Sequence, residues 1–302
     1  MRIVFMGTPD FAVPSLQALH EAGYQVVGVF TQPDRPKGRG NKLQASPVKQ
    51  EAQQLGIPVY QPEKIRRDGV EDLKSLQPDL CVTAAFGQIL SQELLDIPRL
   101  GTVNVHASLL PRHRGSAPIA WAILQGDTEA GVTTMLTDKG IDTGDMLLKR
   151  SLTIGDEETC GELTQRLSKL GAGLLIDTLK ALEAGTLTPT PQDHDQMTYD
   201  PMLTKEMGMI DWSKPAKTIV RQIHGLNPWP ACTSELGGVT LKLLRARPAE
   251  GSGEPGTILT ADPKGGLIVA AGEGAVEVLQ LQAPGGKPMS AKDYLRGHPI
   301  SQ

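Results

Sequence analysis

The sequence has few cysteines and no long apolar run. Its three cysteines lie far apart, at Cys81, Cys160 and Cys232, a spacing that excludes a cysteine-based metal motif or disulfide framework and suits a reducing compartment. No apolar run approaches the roughly 18 residues that a membrane-spanning helix needs. The chain also starts directly on a strand-like run with no leader peptide, so we expect a cytoplasmic protein of bacterial type.

A dinucleotide-binding motif and a strong net charge are also missing. The first turn, Gly7-Thr8-Pro9-Asp10-Phe11, lacks the Gly-x-Gly-x-x-Gly spacing of dinucleotide sites, and nothing in the sequence suggests a metal. A net charge of −4 is unlike the basic excess of a typical nucleic-acid binder. Residues 206–302 hold 10 Lys/Arg against 9 Asp/Glu, so any contact with RNA must depend on local basic patches.

The sequence does contain a regular alternation of strand-like and helix-like segments. Strand-like runs at Arg2–Met6, Gln25–Thr31, Asp79–Ala84 and Gly101–Ala107 alternate with segments suited to helices. This order predicts an α/β fold with an open, mainly parallel, Rossmann-like sheet. A strand pair at 131–137 and 145–154 and a long helix at 159–184 complete a first domain, which we place at residues 1–188.

The rest of the chain reads as a linker and a small β domain. Residues 189–205 lack sustained periodicity and are predicted to be a linker. Residues 206–302 contain short strand-like runs separated by glycine pairs, which favours an OB-like β-barrel. Because Trp212, Trp229 and Tyr294 are the aromatic residues of this segment, contact with duplex backbone is expected rather than stacking of a row of bases.

Polar residues gather where one predicted strand ends. Asn104 and His106 lie two positions apart and project from the same face of a strand, and loops at the carboxyl ends of parallel strands line ligand crevices. Asp142, in a loop between two later strands, is able to reach the same crevice. An amide donor, an imidazole and a carboxylate supply what acyl transfer to an amine requires, without a nucleophilic serine or cysteine. A lone Asn at a strand end is more often a turn or cap residue, a lone His is more often a satisfied polar side chain, and Asp142 could shape a turn, so spacing leaves this a hypothesis.

Two longer motifs resemble the signature of folate-dependent formyltransferases. They are Asn104-x-His106 followed by Ser108-Leu109-Leu110-Pro111, and Asp142-Thr143-Gly144-Asp145. The resemblance implies that Asn104, His106 and Asp142 are catalytic and that Ser108, Leu109, Leu110 and Pro111 border the folate. It also implies 10-formyltetrahydrofolate as the formyl donor. Phe86 and Gly87 follow another strand and are candidates for the same folate slot, although core packing explains Phe86 equally well.

Three further segments resemble the members of this family that formylate methionyl initiator tRNA. They are Met6–Ala12, Thr31–Gly40 and Asn227–Pro230. The resemblance implies that the basic loop, with Arg35, Lys37, Arg39 and Lys42, enters the acceptor-stem end of the tRNA. In the C-terminal domain, the expected phosphate contacts are Lys242, Arg245 and Arg247.

Two other functions fit parts of the pattern. In the first, the protein is a related two-domain enzyme that acts on an amino sugar nucleotide or hydrolyses formylfolate. The basic loop argues against this function. A non-catalytic RNA-binding protein on a formyltransferase fold would be expected to have lost Asn104, His106 or Asp142, and all three are present. We expect a monomer.

Overall fold

The computed structural model describes residues 1–38, 40 and 42–300, without the side chain of Lys37. The chain divides into two compact units. The first unit contains Met1–Gly115, Ala130–Leu152 and Thr164–Tyr199, and the second contains Ser116–Glu129, Thr153–Leu163 and the chain from Asp200 onward.

The described residues form strands that belong to two main sheets and two short pairs. In chain order these strands are β1 (Arg2–Gly7), β2 (Gln25–Phe30), β3 (Arg35–Lys37), β4 (Lys42–Gln44), β5 (Val59–Tyr60), β6 (Leu80–Ala84), β7 (Thr102–His106), β8 (Arg114–Gly115), β9 (Glu129–Leu136), β10 (Met146–Thr153), β11 (Tyr199–Asp200), β12 (Cys232–Leu236), β13 (Val239–Ala249), β14 (Ile258–Asp262), β15 (Gly266–Ala270), β16 (Ala275–Gln282) and β17 (Met289–Ser290).

Helices alternate with these strands. In chain order they are α1 (Val13–Glu21), α2 (Pro47–Gln54), α3 (Ile65–Asp68), α4 (Val70–Leu76), α5 (Gln92–Leu95), α6 (Pro118–Gln125), α7 (Cys160–Glu183), α8 (Ala216–Gly225) and α9 (Ala291–Gly297). Gly69 separates α3 from α4. None of the described helices is long and apolar enough to cross a membrane.

The large sheet of the first unit has the order β10-β9-β7-β6-β1-β2-β5. Strands β1, β2, β5, β6 and β7 pair in parallel, whereas β7 pairs with β9 antiparallel. Every residue of β6 is buried, as expected for a central strand covered on both faces. The predicted mainly parallel Rossmann-like sheet is therefore confirmed, and its order places β6 and β7, whose ends carry the site, side by side.

The second unit contains a curled antiparallel sheet. Strands β12, β13, β16, β15 and β14 follow one another in space, and β17 pairs with β16. The inner face of this half-barrel packs against α8 and α9, with Ile219, Ile223, Leu243, Val278 and Leu295 among the buried residues. The predicted OB-like architecture is confirmed in this curled form.

Candidate active site

Asn104 is the third of the five residues of β7 and is held by a side chain from the neighbouring strand. The hydroxyl of Thr83, its partner in the parallel register with β6, donates to Asn104 Oδ1 over 2.9 Å. Because the amide oxygen accepts this bond, Nδ2 is the atom left to donate. No described residue accepts a hydrogen bond from Nδ2, so it is available to an oxygen of a bound substrate.

His106 ends β7 and is 7% exposed. Its Nε2 lies 2.8 Å from the backbone carbonyl oxygen of His113, and since a carbonyl only accepts, Nε2 carries a proton and donates. The other ring nitrogen, Nδ1, faces Asp142 Oδ1 at 3.5 Å. The carbonyl contact fixes the ring and leaves Nδ1 as the nitrogen that is able to exchange a proton.

Asp142 reaches His106 because its own backbone makes a sharp turn. It has a positive φ of 53°, a left-handed conformation that Asp tolerates better than most residues. The backbone N–H of Gly115 donates to Asp142 Oδ2 over 2.8 Å, which holds the carboxylate. Gly144 closes the turn tightly, because a Cβ there would lie 1.7 Å from the carbonyl oxygen of Leu136. The structure thus brings together the imidazole and the carboxylate that were predicted to share a crevice.

The Asp142 turn is braced by a residue that the sequence did not single out. Gln192 Nε2 donates to the carbonyl oxygens of Asp142 and Gly144, each over 2.8 Å. Gln192 Oε1 accepts from Nη2 and Nε of Arg114, over 2.7 and 3.1 Å. Gln192 lies in the predicted linker, residues 189–205, where nothing in the local sequence distinguishes it.

The Ser108–Pro111 run is tied to the sheet through its backbone. Thr133 Oγ1 donates to the carbonyl oxygen of Ser108 over 2.7 Å and accepts from the N–H of Leu110 over 3.2 Å. The Ser108 hydroxyl donates to the carbonyl oxygen of Arg112 over 2.7 Å, and Leu110 is fully buried against methionine side chains. Lys149 Nζ donates to the carbonyl oxygen of Leu110, and burial lowers the pKa of Lys149. Leu109 and Pro111, which are half-buried, are the side chains of this run that a ligand can contact.

Phe86 and Gly87 lie in the loop after β6. Phe86 is 4% exposed and packs in the sheet core with Val4, Met6 and Phe30, as the core reading of this residue requires. Its carbonyl oxygen accepts from the hydroxyl of Thr8 over 3.0 Å. Gly87 is exposed with a positive φ of 81°, which glycine adopts without a Cβ penalty. Its carbonyl oxygen accepts from Gln32 Nε2 over 3.0 Å, and its N–H has no partner among the described residues.

The predicted tRNA-binding cations differ in their surroundings. Arg35 and Lys42 lie on β3 and β4, which form an antiparallel hairpin, and both are exposed. Lys37 is on β3 without a described side chain, and Arg39 lies outside the described residues.

On β13, the three predicted cations are not equally available. The Lys242 side chain is exposed and has no hydrogen-bond or ion-pair partner in the described part of the chain. Arg245 instead donates to Glu162 Oε1 over 2.5 Å and to the carbonyl oxygen of Glu157 over 2.6 Å. Arg247 pairs with Glu277 over 2.7 Å, a hydrogen bond that raises the pKa of Arg247.

The arrangement in the first unit combines a free amide donor, a fixed imidazole and an anchored carboxylate. Among the described residues, no group of three or more His, Cys, Asp or Glu side chains is placed to hold a metal ion. The chemistry that these groups are able to perform is stabilisation of a developing oxyanion together with proton transfer.

Comparison with known proteins places this chain in a family. The Formyl transferase profile matches residues 1–179, and the profile of the formyl transferase C-terminal domain matches residues 202–299. The methionyl-tRNA formyltransferase of Trichlorobacter lovleyi is 54% identical over 301 residues, covering 99% of this chain and 95% of that protein. The methionyl-tRNA formyltransferase of Caldanaerobacter subterraneus is 49% identical over 306 residues, covering 100% of this chain and 98% of that protein.

Solved structures share the fold at lower identity. HypX from Aquifex aeolicus in complex with tetrahydrofolic acid has a TM-score of 0.67 at 20% identity, with 98% of this chain and 47% of HypX covered, so this chain spans about half the length of HypX. The N-formyltransferase from Helicobacter canadensis, in complex with folinic acid and dTDP-3-aminofucose, has a TM-score of 0.71 at 18% identity, with 91% of this chain and 98% of that chain covered. The chain therefore belongs to the formyl transferase family, among the methionyl-tRNA formyltransferases.

Proposed function

We propose that the protein transfers the formyl group of 10-formyltetrahydrofolate to the α-amino group of methionyl initiator tRNA. The observation that carries the proposal is the placement of Asn104, His106 and Asp142 around the end of β7, with one amide donor unpaired and one imidazole nitrogen facing a carboxylate. The names of relatives at about 50% identity over nearly the whole chain support methionyl-tRNA as the acceptor, and the tetrahydrofolic acid bound to HypX supports a folate as the donor.

In this mechanism Asn104 stabilises negative charge. When the amine nitrogen attacks the formyl carbon, charge develops on the formyl oxygen, and Asn104 Nδ2 donates a hydrogen bond to it. A donor already held in place is worth roughly 10²–10³ in rate, because it needs no reorganisation as the charge forms. The bond from Thr83 supports this role, since it keeps the amide oxygen away from the reacting atoms.

His106 and Asp142 move the proton. A free α-amino group has a pKa of about 7.7, so a neutral fraction is present at neutral pH. The attacking amine loses a proton, the bond between the formyl carbon and the folate nitrogen breaks, and that nitrogen takes up a proton. His106 Nδ1 passes the proton and Asp142 orients the ring and balances the charge of its protonated form, a contribution of about 10²–10⁴.

The folate is the donor of the one-carbon group, and the residues around the site fit it. Leu109 and Pro111 offer apolar surface, and the N–H of the exposed Gly87 offers a hydrogen-bond donor, a combination that suits a flat ring with polar edges. In this proposal Ser108, Leu110 and Phe86 form the framework of the slot, because their side chains are committed to the protein itself.

The tRNA binds through exposed cations. The hairpin formed by β3 and β4 presents Arg35 and Lys42, and Lys37 and Arg39 belong to the same basic loop; this loop approaches the acceptor stem. Lys242 contributes a phosphate contact without first breaking an ion pair, whereas Arg245 and Arg247 have to exchange protein partners for RNA. Lys242 is therefore the preferred contact on β13.

The remaining parts of the proposal concern organisation and location. We assign catalysis to residues 1–188, a linker to 189–205 and tRNA binding to 206–302, and the first part of the linker, up to Tyr199, belongs to the first compact unit. The cysteines are free thiols, which fits a reducing cytoplasm, and we propose that the protein acts as a monomer.

One assay separates the candidate functions. The protein is incubated with 10-formyltetrahydrofolate and one acceptor at a time: methionyl initiator tRNA, glycinamide ribonucleotide or an amino sugar nucleotide. Mass spectrometry then identifies the formylated product, and a reaction without acceptor measures folate hydrolysis. Formylmethionyl-tRNA is the expected product, and formylation of the sugar instead, or hydrolysis alone, would reject the proposal.

A further inference from the structure

The side-chain amide of Gln192 uses all of its hydrogen-bonding capacity. Arginine has donors and no acceptor, so the atom that meets Arg114 must be the amide oxygen. The opposite atom is then the NH₂ group, and its two hydrogens meet the carbonyl oxygens of Asp142 and Gly144. The orientation of the amide is thus set by chemistry, because a flipped amide would leave donors facing donors.

These hydrogen bonds belong to a closed cycle of contacts that includes the Asp142 carboxylate. Gly115 donates to Asp142 Oδ2, Asp142 accepts at its carbonyl oxygen from Gln192, and Gln192 accepts from Arg114, the residue before Gly115. Gln192 is 5% exposed and Arg114 is 4% exposed. Hydrogen bonds at such a buried place are strong, and an unmade one is costly.

Arg114 is itself held in place. Its Nη2 lies 3.0 Å from His194 Nδ1, and since the guanidinium only donates, Nδ1 accepts. The same guanidinium reaches Gln192 with two N–H groups. The planar guanidinium of Arg114 therefore fixes the amide oxygen of Gln192, and the amide nitrogen of Gln192 fixes the Asp142 turn.

We propose that Gln192 is a positioning residue, which acts on catalysis by holding the left-handed turn that aims Asp142 at His106. The inference rests on the catalytic role proposed for Asp142. Without the two bonds from Gln192 the turn relaxes, and the 3.5 Å approach of Asp142 to His106 Nδ1 opens. A misplacement of about 1 Å at a reacting group can lower a rate by roughly 10².

The test is a double-mutant cycle between Gln192 and Asp142. The variant Gln192→Glu keeps the oxygen that Arg114 requires and removes the NH₂ group, so it disrupts the turn with little change in volume. We expect kcat to fall about 10- to 100-fold with KM for folate and tRNA nearly unchanged, and the pH profile of kcat to change because Asp142 no longer faces His106 in the same way. In an Asp142→Asn background the same substitution should lower kcat less than threefold, because the carboxylate that it positions is already gone.

The matched control is Gln196→Met, which removes another glutamine from the same segment. The Gln196 side chain is exposed and bonds only to Asp193 in the described structure, so kcat should stay at the wild-type value. A second variant, Gln192→Met, removes the amide altogether and should lower kcat at least as much as Gln192→Glu.

The outcomes are distinguishable. A wild-type rate for Gln192→Glu, a change confined to KM, or equal losses in the two backgrounds would overturn the inference. Loss of the native near-UV circular dichroism in both Gln192 variants would also overturn it, since Gln192 would then serve folding. If Asp142→Asn alone keeps the wild-type rate, the catalytic role of Asp142 is rejected, which is a failure of the proposed function and not of Gln192 alone.

Discussion

His224 makes the second unit sensitive to mild acid. The imidazole lies on α8 and is 2% exposed, and its Nε2 accepts a hydrogen bond from the N–H of Ala246 over 3.2 Å. Burial and, to a smaller extent, the positive charge of Arg245 lower the pKa of His224 from 6.5 to about 4. Protonation at Nε2 would break the bond from Ala246, so the folded unit holds the neutral ring.

The direction and size of the effect follow from this difference in pKa. The unfolded chain takes up a proton as the pH falls through about 6.5 and the folded unit does not until about 4, so the contribution of His224 is complete above pH 6.5 and is lost between 6.5 and 4. The full loss is about 3 kcal/mol, of which about 2 kcal/mol falls between pH 7 and pH 5.

Urea unfolding followed by tryptophan fluorescence measures this loss. All three tryptophans, Trp121, Trp212 and Trp229, belong to the second unit, so the signal reports the unit that contains His224. The variant His224→Gln offers an oxygen to Ala246 without a titrating ring, and the wild type should lose about 2 kcal/mol more than this variant between pH 7 and pH 5. The variant His298→Gln removes an exposed imidazole from the same unit and is the control for loss of a histidine. Equal losses in wild type and His224→Gln would refute the reasoning.

Two further predictions concern the proposed site and its RNA contacts. Replacing Asn104 or His106 with Ala should lower kcat by about 10² or more with tRNA affinity nearly unchanged. The variant Asp142→Asn should preserve folding and change the pH profile of kcat. Near-wild-type turnover in these variants contradicts the assignment. Replacing Lys242 with Ala should weaken tRNA binding and reduce the salt slope by about one contact. Arg247→Ala should change the salt slope less, since Arg247 pairs with Glu277. If Lys242→Ala equals wild type in a salt titration of tRNA binding, Lys242 does not belong to the interface.

Much of the first unit could be predicted from local patterns, because its buried strands are continuous apolar runs. The strand predicted at Asp79–Ala84 is one residue longer than the observed β6, whose five residues are all buried. Some missed elements also had signals. Helix α9 begins after Ser290, whose hydroxyl accepts from the N–H of Asp293 over 3.1 Å, and Ser-x-x-Asp is a helix-start pattern. Strand β12 ends at the glycine pair 237–238, which forms its turn to β13.

The site was predictable only in part. The motif residues Asn104 and His106 lie close in sequence, and their shared strand was readable from the pattern. Thr83 and Gln192 carry no local signature, because their roles depend on partners that are distant in sequence: Gln192 bonds to Asp142 across 50 positions. The ion pairs of Arg245 and Arg247 could not be predicted either, because their partners, Glu162 on α7 and Glu277 on β16, are distant in sequence and meet them only in the folded chain.

The hydrogen bonds from Gln192 to the Asp142 turn also limit where the chain can be truncated. A fragment that stops at the expected domain limit, residue 188, would keep every residue proposed for catalysis but not the one that bonds to the carbonyl oxygens of the Asp142 turn. The same holds during synthesis, since a nascent chain has the motif residues long before Gln192 leaves the ribosome. The active geometry is therefore completed late, when the last segment of the first unit docks, and a stable fragment of this unit should extend at least to Tyr199.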